Sequence, residues 1–223
     1  MRTFYIWLIA LVIGGMILHN LLDFIRKMII RARRQAREPH VIRMSRLERI
    51  THFLFLSSFI SLAYTGFVLM YPESWIVEPL HWFGVTEEGR AHLHRGAAVV
   101  MTLLVLHHMY FVLFTKLGRE QGRHFLPRLR DAVDLYHNIL FFFGKRPERP
   151  RFDRFGYPEK AEYLALVWGT AVMVITGFIL WFEQYSLAFM PLWLYEVFGI
   201  VHRLEAILAV LSINVWHFYY VFI

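Results

Sequence analysis

Twelve histidines and no cysteine set the chemistry open to this 223-residue chain. Without thiolate there is no disulfide, no Cys-held zinc or iron–sulfur centre and no thioether-attached haem, so a bound metal must be held by imidazole, thioether or carboxylate. Seven histidines (His19, His52, His94, His107, His108, His202 and His217) lie in or beside apolar stretches, where an ionisable group is costly and usually functional. Spacing sorts them. His94 and His108 are 14 residues apart, which on a helix is about four turns less 40°. His202 and His217 are 15 apart, about four turns plus 60°. Each pair shares one helix face, with its members about 21 to 22 Å apart along the axis. His107, about 140° round from His94, faces elsewhere and is expected to sit at an interface or support a neighbour.

The elements that must position these residues are helices in lipid. The chain is 57% hydrophobic and 17% aromatic against 18% charged, with a mean hydropathy of +0.44, too apolar for an ordinary soluble domain. Five stretches, 4–22, 50–71, 97–114, 163–182 and 198–223, approach or reach the length of about 20 residues that a crossing takes. The expected fold is all-α and integral to the membrane, with five transmembrane helices. The charge falls in blocks: residues 26–49 are net +7 and 116–160 net +5, whereas 72–92 are net −3 and 183–201 net −2. Basic connections alternating with acidic ones place the N-terminus outside and the C-terminus inside. The basic balance therefore records topology, and no nucleic-acid partner is expected. The first span is followed by a dense basic stop rather than a small-residue cleavage pattern, and reads as a retained anchor. Residues 131–143 form an amphipathic segment for the inner interface, and 145–158, rich in Pro and Arg, a loop.

An internal repeat links the spans. Thr65-Gly66-Phe67 near the end of the second is matched by Thr176-Gly177-Phe178 near the end of the fourth; His94-Arg95 and His108 in the third are matched by His202-Arg203 and His217 in the fifth. Spans two–three and four–five are two copies of one helix pair in the same orientation, which places their histidines at matched depths. Bis-imidazole haem b suits such histidines best, because haem is flat, largely apolar and needs two axial nitrogens from opposite sides, whereas zinc needs four close ligands. The small residues Gly96, Ala97, Ala98, Ala206 and Ala209 leave room for a porphyrin. Arg95 and Arg203, each following an outer histidine, are placed to pair with haem propionates or to anchor at the interface.

Arg49-Ile-Thr-His52, Thr65-Gly66-Phe67, Leu93-His94-Arg95-Gly96, Thr176-Gly177-Phe178, His202-Arg-Leu-Glu-Ala and Trp216-His217-Phe-Tyr together resemble the four-helix dihaem cytochrome b family. That family includes the gamma subunit of membrane-bound formate dehydrogenase and the cytochrome b of nickel–iron hydrogenase. The pattern is closest to cytochrome b subunits that accompany multihaem cytochromes c in transmembrane redox complexes. The resemblance covers residues 43–223, a four-helix domain, and leaves 1–42 as an additional N-terminal anchor with its basic inner loop. It implies two b haems with bis-His ligation by His52, His94, His202 and His217, the outer haem held by His94 and His202. For the inner haem the family pattern pairs His217 with His52, and the internal repeat pairs it with His108. The Arg-x-x-His motif favours His52, which has no counterpart in the repeat, since Tyr163 stands at the equivalent position; His108 remains the alternative ligand, or a support or quinone-site residue. Arg49 joins Arg95 and Arg203 as a propionate partner.

The function so implied is membrane electron transfer within a respiratory oxidoreductase complex, an electron-transfer subunit rather than a catalyst alone. Two stacked haems would link a quinone or menaquinone pool, or a periplasmic multihaem cytochrome c, to an iron–sulfur partner and other membrane subunits. A quinone site would draw on His52, His108, Asn214 and His217. Glu205, almost one turn past His202, is a candidate proton shuttle or partner of Arg95. His19 is expected at the interface rather than on a metal, and His40, His81, His92, His124 and His137 in solvated connections. The rival readings are a haem-free anchor or assembly subunit, and a proton-relay transporter. No nucleotide loop, hydrolase constellation or HExxH motif is present, so soluble-substrate catalysis has no support.

Overall fold

Arg2–Arg31 form one 30-residue helix, α1, because nothing between them breaks it: no proline occurs and the glycine pair Gly14-Gly15 sits in an otherwise apolar run. The computed structural model describes residues 1–31, 46–152 and 154–222. After α1 come α2 (Arg46–Met70), a 3₁₀ turn (Trp75–Val77), α3 (Glu78–Trp82), α4 (Glu87–Phe114), α5 (Lys116–Phe125) and α6 (Leu129–Phe142). Then follow α7 (Tyr157–Trp181), α8 (Glu183–Phe189), α9 (Leu192–Ser212), a π turn (Ile213–His217) and α10 (Phe218–Phe222). No strand occurs among the described residues. Much of the basic first inner connection, with Arg33, Arg34, Arg37, His40 and Arg43, lies outside them.

Among the described residues four helices, α1, α2, α4 and α7, are long and apolar enough to cross a membrane. The fifth expected span differs. Its apolar run is divided: α9 carries Glu196, Arg203 and Glu205, and regular α-helix stops at Ile213, where the π turn begins. The amphipathic segment expected at the inner interface is α6, and the described residues of the Pro/Arg-rich stretch after it are non-helical as far as Gly156.

Burial is inverted relative to a water-soluble protein. Asn20, Asp23, Ser58, Thr65, Arg90, Asn138, Lys160, Thr176 and Glu205 are buried, while Phe4, Trp7, Leu11, Leu103, Trp168 and Ile175 are exposed. In lipid an apolar side chain gains little by leaving the acyl chains, so helices are held by close packing and interhelical polar contacts. That distribution is the one a membrane protein requires.

The chain divides into two compact units. In one, α2 packs along α4. The pair is antiparallel, with Thr65 against His94 and Ser58 against Met101. One end is closed by a small apolar core of Val68, Val77 and Leu80, with Tyr64, Ile76 and Val85 around it. Helix α4 starts where it does because the Thr86 hydroxyl accepts from the Gly89 amide at 3.1 Å, and Glu87 and Glu88 meet the positive end of the helix dipole.

In the other unit α7 packs along α9, α1 also lies against α9, and α6 braces α7. The helix set apart by the sequence as an addition is thus docked on α9, the helix that carries His202. Helix α7 begins with Gly156 as cap, its amide donating to Glu159 at 3.0 Å, and Pro158 in the first turn, where its missing N–H costs nothing. Asp131 of α6 accepts two hydrogen bonds from Lys160 Nζ, at 2.7 and 2.9 Å, fastening the two helices.

Candidate functional site

The same four-residue device occurs in both units. In the first, Thr65 Oγ1 lies 2.8 Å from His94 Nδ1 and 2.6 Å from the Ser61 carbonyl one turn back. In the second, Thr176 Oγ1 lies 2.8 Å from His202 Nδ1 and 2.7 Å from the Val172 carbonyl. A threonine hydroxyl has one hydrogen, and a carbonyl can only accept. Each hydroxyl therefore donates backwards into its own helix and accepts from the histidine Nδ1–H, an assignment that leaves the Nε2 of each ring with a lone pair. A neutral imidazole with Nδ1–H held by a fixed acceptor is the form in which histidine ligates a metal.

The glycine after each threonine lets the ring come close. A Cβ at Gly177 would stand 3.3 Å from His202 Cε1, tight enough to press on the ring, and one at Gly66 would stand 3.5 Å from His94 Cε1. Thr65 and Thr176 are buried, and Arg90 bridges the Thr65 carbonyl at 3.1 Å to Glu87 at 2.8 Å. The sequence repeat marks these threonines and glycines; their service to the histidines is what the packing adds.

Toward the other end of α9 a different partner appears. His217 Nδ1 donates to Glu162 Oε1 of α7 at 2.6 Å. Glu162 was not singled out by the sequence, where it is one acid at the edge of an apolar run. Between His202 and His217 lies the π turn, closed by the Phe218 amide donating to the Ile213 carbonyl. A π turn takes one extra residue into a helix without disturbing the register on either side. Thus the 15 residues from His202 to His217, through the π turn, match 14 of α7, with His202 facing Thr176 and His217 facing Glu162. The angle read from spacing alone, about four turns plus 60°, becomes about four turns less 40°, the same as for His94 and His108.

The other expected residues fall as follows. His108 is half-buried on α4, and His52 is exposed on α2. The antiparallel register carried down from Thr65/His94 sets His52 level with His107 and His108. Arg49, Arg95 and Arg203 are exposed. Asn214 donates to the Val210 carbonyl of its own helix at 2.8 Å. Glu205 is buried, hydrogen-bonded to Tyr5 of α1, and its Oε1 would lie 3.1 Å from a Cβ at Gly169. His19 bonds through Nε2 to the Tyr157 hydroxyl at 2.5 Å.

A family model described as prokaryotic cytochrome b561 matches residues 43–223. The chain belongs to that family. It is a membrane haem-binding electron-transfer protein, and the resemblance read from its motifs to the hydrogenase and formate dehydrogenase type is borne out. No curated protein is significantly similar to the chain.

The residues fit b haem, the group this cytochrome family binds. An axial ligand must present one unprotonated nitrogen to the iron, and His94 and His202 both hold their hydrogen on the opposite nitrogen, bonded to threonine. The acceptors behind them are held in turn by their own helices, the outer support that keeps a ligand ring from swinging.

Proposed function

We propose that the chain is the membrane electron-transfer subunit of a respiratory oxidoreductase complex and carries two b haems at different depths in the bilayer. The observation that supports this most directly is the duplicated Thr–His contact, Thr65 with His94 and Thr176 with His202, each at 2.8 Å. In this reading His94 and His202 are the axial ligands of the outer haem, and His217 holds the inner one with His52, or with His108, as its second ligand. When bound, haem supplies a one-electron Fe(III)/Fe(II) couple. What the chain supplies is the frame: Thr65 and Thr176 fix the tautomer and ring plane of the outer ligands, Glu162 does so for His217, and Gly66 and Gly177 leave the rings room. Arg49, Arg95 and Arg203 take the propionates.

The rest of the reading follows the topology. With five spans the N-terminus lies outside and the C-terminus in the cytoplasm of a bacterial inner membrane, and the family domain is 43–223 with 1–42 as its anchor. Quinone or menaquinone would meet the chain at the inner end, near His52, His108, Asn214 and His217. The basic inner connections, net +7 over residues 26–49 and +5 over 116–160, suit an acidic iron–sulfur partner. Arg130, Arg146, Arg149 and Arg151 also line a cavity of about 400 Å³ on this side. A multihaem cytochrome c is the matching partner outside.

The test is haem stoichiometry in single variants. His94→Ala and His202→Ala should each reduce two haems per chain to one, with the same haem lost in both. Two haems retained in either variant would overturn the pairing.

A further inference from the structure

We propose that α1, the helix before the family match, is a positioning element for His217, and that Asn20 is the residue through which it acts. This rests on the reading of His217 as an iron ligand. Residues 19–27 of α1 grip residues 215–219 on both sides of that histidine. Asn20 Nδ2 donates to the Val215 carbonyl at 2.5 Å. The His19 ring lies against Trp216 with centroids 5.0 Å apart. The Tyr219 hydroxyl donates to Asp23 Oδ2 at 2.8 Å, and Lys27 pairs with the same oxygen at 2.9 Å. Asn20 and Asp23 are 6% and 1% exposed in a helix otherwise suited to lipid. Buried polar groups in such a helix are expensive unless they are bonded and placed for a purpose.

The purpose lies in the π turn. π turns are rare, appear mostly as single-turn bulges inside α-helices, and are frequent at functional sites. Here the insertion returns His217 to the face of α9 that carries His202 and meets Glu162. As plain α-helix, the same 15-residue spacing would carry His217 round by about 100° and away from that carboxylate. The Asn20 amide bonds a carbonyl inside the turn, and the Asp23–Tyr219 contact holds the chain just past it. Helix α1 thus supplies from outside the family domain the contacts that hold the irregular turn, and with it the plane and register of one ligand.

The experiment is electron paramagnetic resonance of the ferric protein, alongside haem content, in the full chain within its membrane complex. The low-spin signals report the bonding and mutual orientation of axial imidazoles. Asn20→Leu should shift the signal of one haem, or abolish it with loss of that haem, and leave the other unchanged. Adding deletion of Ile213, which returns the His202–His217 spacing to 14 residues, should bring the signal back, because a regular helix then carries the correct register. Tyr5→Phe, which loosens α1 at its other end, should leave the His217 signal as it was. If Asn20→Leu does not assemble, Asn20→Ser should show a smaller shift of the same signal. Two haems with wild-type signals in the Asn20 variants would overturn this proposal alone. A wild-type protein that binds no haem would overturn it together with the haem reading.

Discussion

The pairs α2/α4 and α7/α9 are two copies of one design that agree at one end and part at the other. At the Thr–His end they agree nearly atom for atom: a threonine bonded back into its own helix, a glycine beside it, and a histidine Nδ1 at 2.8 Å. At the other end His217 meets the Glu162 carboxylate beside a π turn. The residue level with His108 is Thr51, whose hydroxyl bonds the Leu47 carbonyl at 3.1 Å, and α4 is regular helix throughout. The second pair is also buttressed by α1 and by α6. A duplicated frame has kept one site symmetric and let the other specialise.

That contrast can be broken in order of size. The largest effect should come from the choice between His52 and His108. His52→Ala should remove the haem held by His217 while His108→Ala keeps two haems per chain, measured by pyridine haemochrome; the reverse result would give the inner site to the internal repeat instead. Next is Glu162→Gln. A carboxylate acceptor gives an imidazole more anionic character and favours ferric iron. Losing that charge should raise the midpoint potential of one haem by about 60 mV or more, a tenfold change in a one-electron equilibrium. A redox titration in which neither haem moves would remove the asymmetry.

Smaller still, Thr65→Val and Thr176→Val should have matching consequences. Each removes the two hydrogen bonds of one buried hydroxyl, about 2 kcal/mol at about 1 kcal/mol per bond, and each should perturb the spectrum of the same haem. Unequal effects on different haems would contradict the symmetry. The smallest effect concerns the buttress. Burial pushes the Asp131 carboxyl up, but hydrogen bonds from Lys160 and the Arg128 amide outweigh it and hold it below the usual carboxylate range. Its contribution to stability is present above the ordinary carboxylate pKa and is lost as pH falls through the lowered one. Thermal unfolding in lipid discs should show that acid-side loss, and Lys160→Gln should reduce it, leaving the part held by the Arg128 amide.

The residues of the two Thr–His contacts stood out in the sequence because they are duplicated: Thr-Gly-Phe and His-Arg each occur twice, and duplication separates signal from composition. The family frame of residues 43–223 was legible for the same reason. Glu162 was not, because a lone acid near the end of an apolar run reads as a boundary marker, and only the register of α7 on α9 brings it to His217. The π turn left a trace, the step from 14 to 15 residues, but spacing alone cannot distinguish an inserted turn from a rotated side chain. The division of the last apolar run into α9, turn and α10 has the same origin. The docking of α1 was hidden because Asn20 and Asp23 belong to a helix whose apolar content fits a simple anchor.

The most direct test of the central claim is the number of b haems per polypeptide in the purified, fully assembled protein, read from the reduced pyridine haemochrome spectrum. Two per chain is the expected result. A folded, assembled chain without haem would contradict it and leave a membrane anchor in its place.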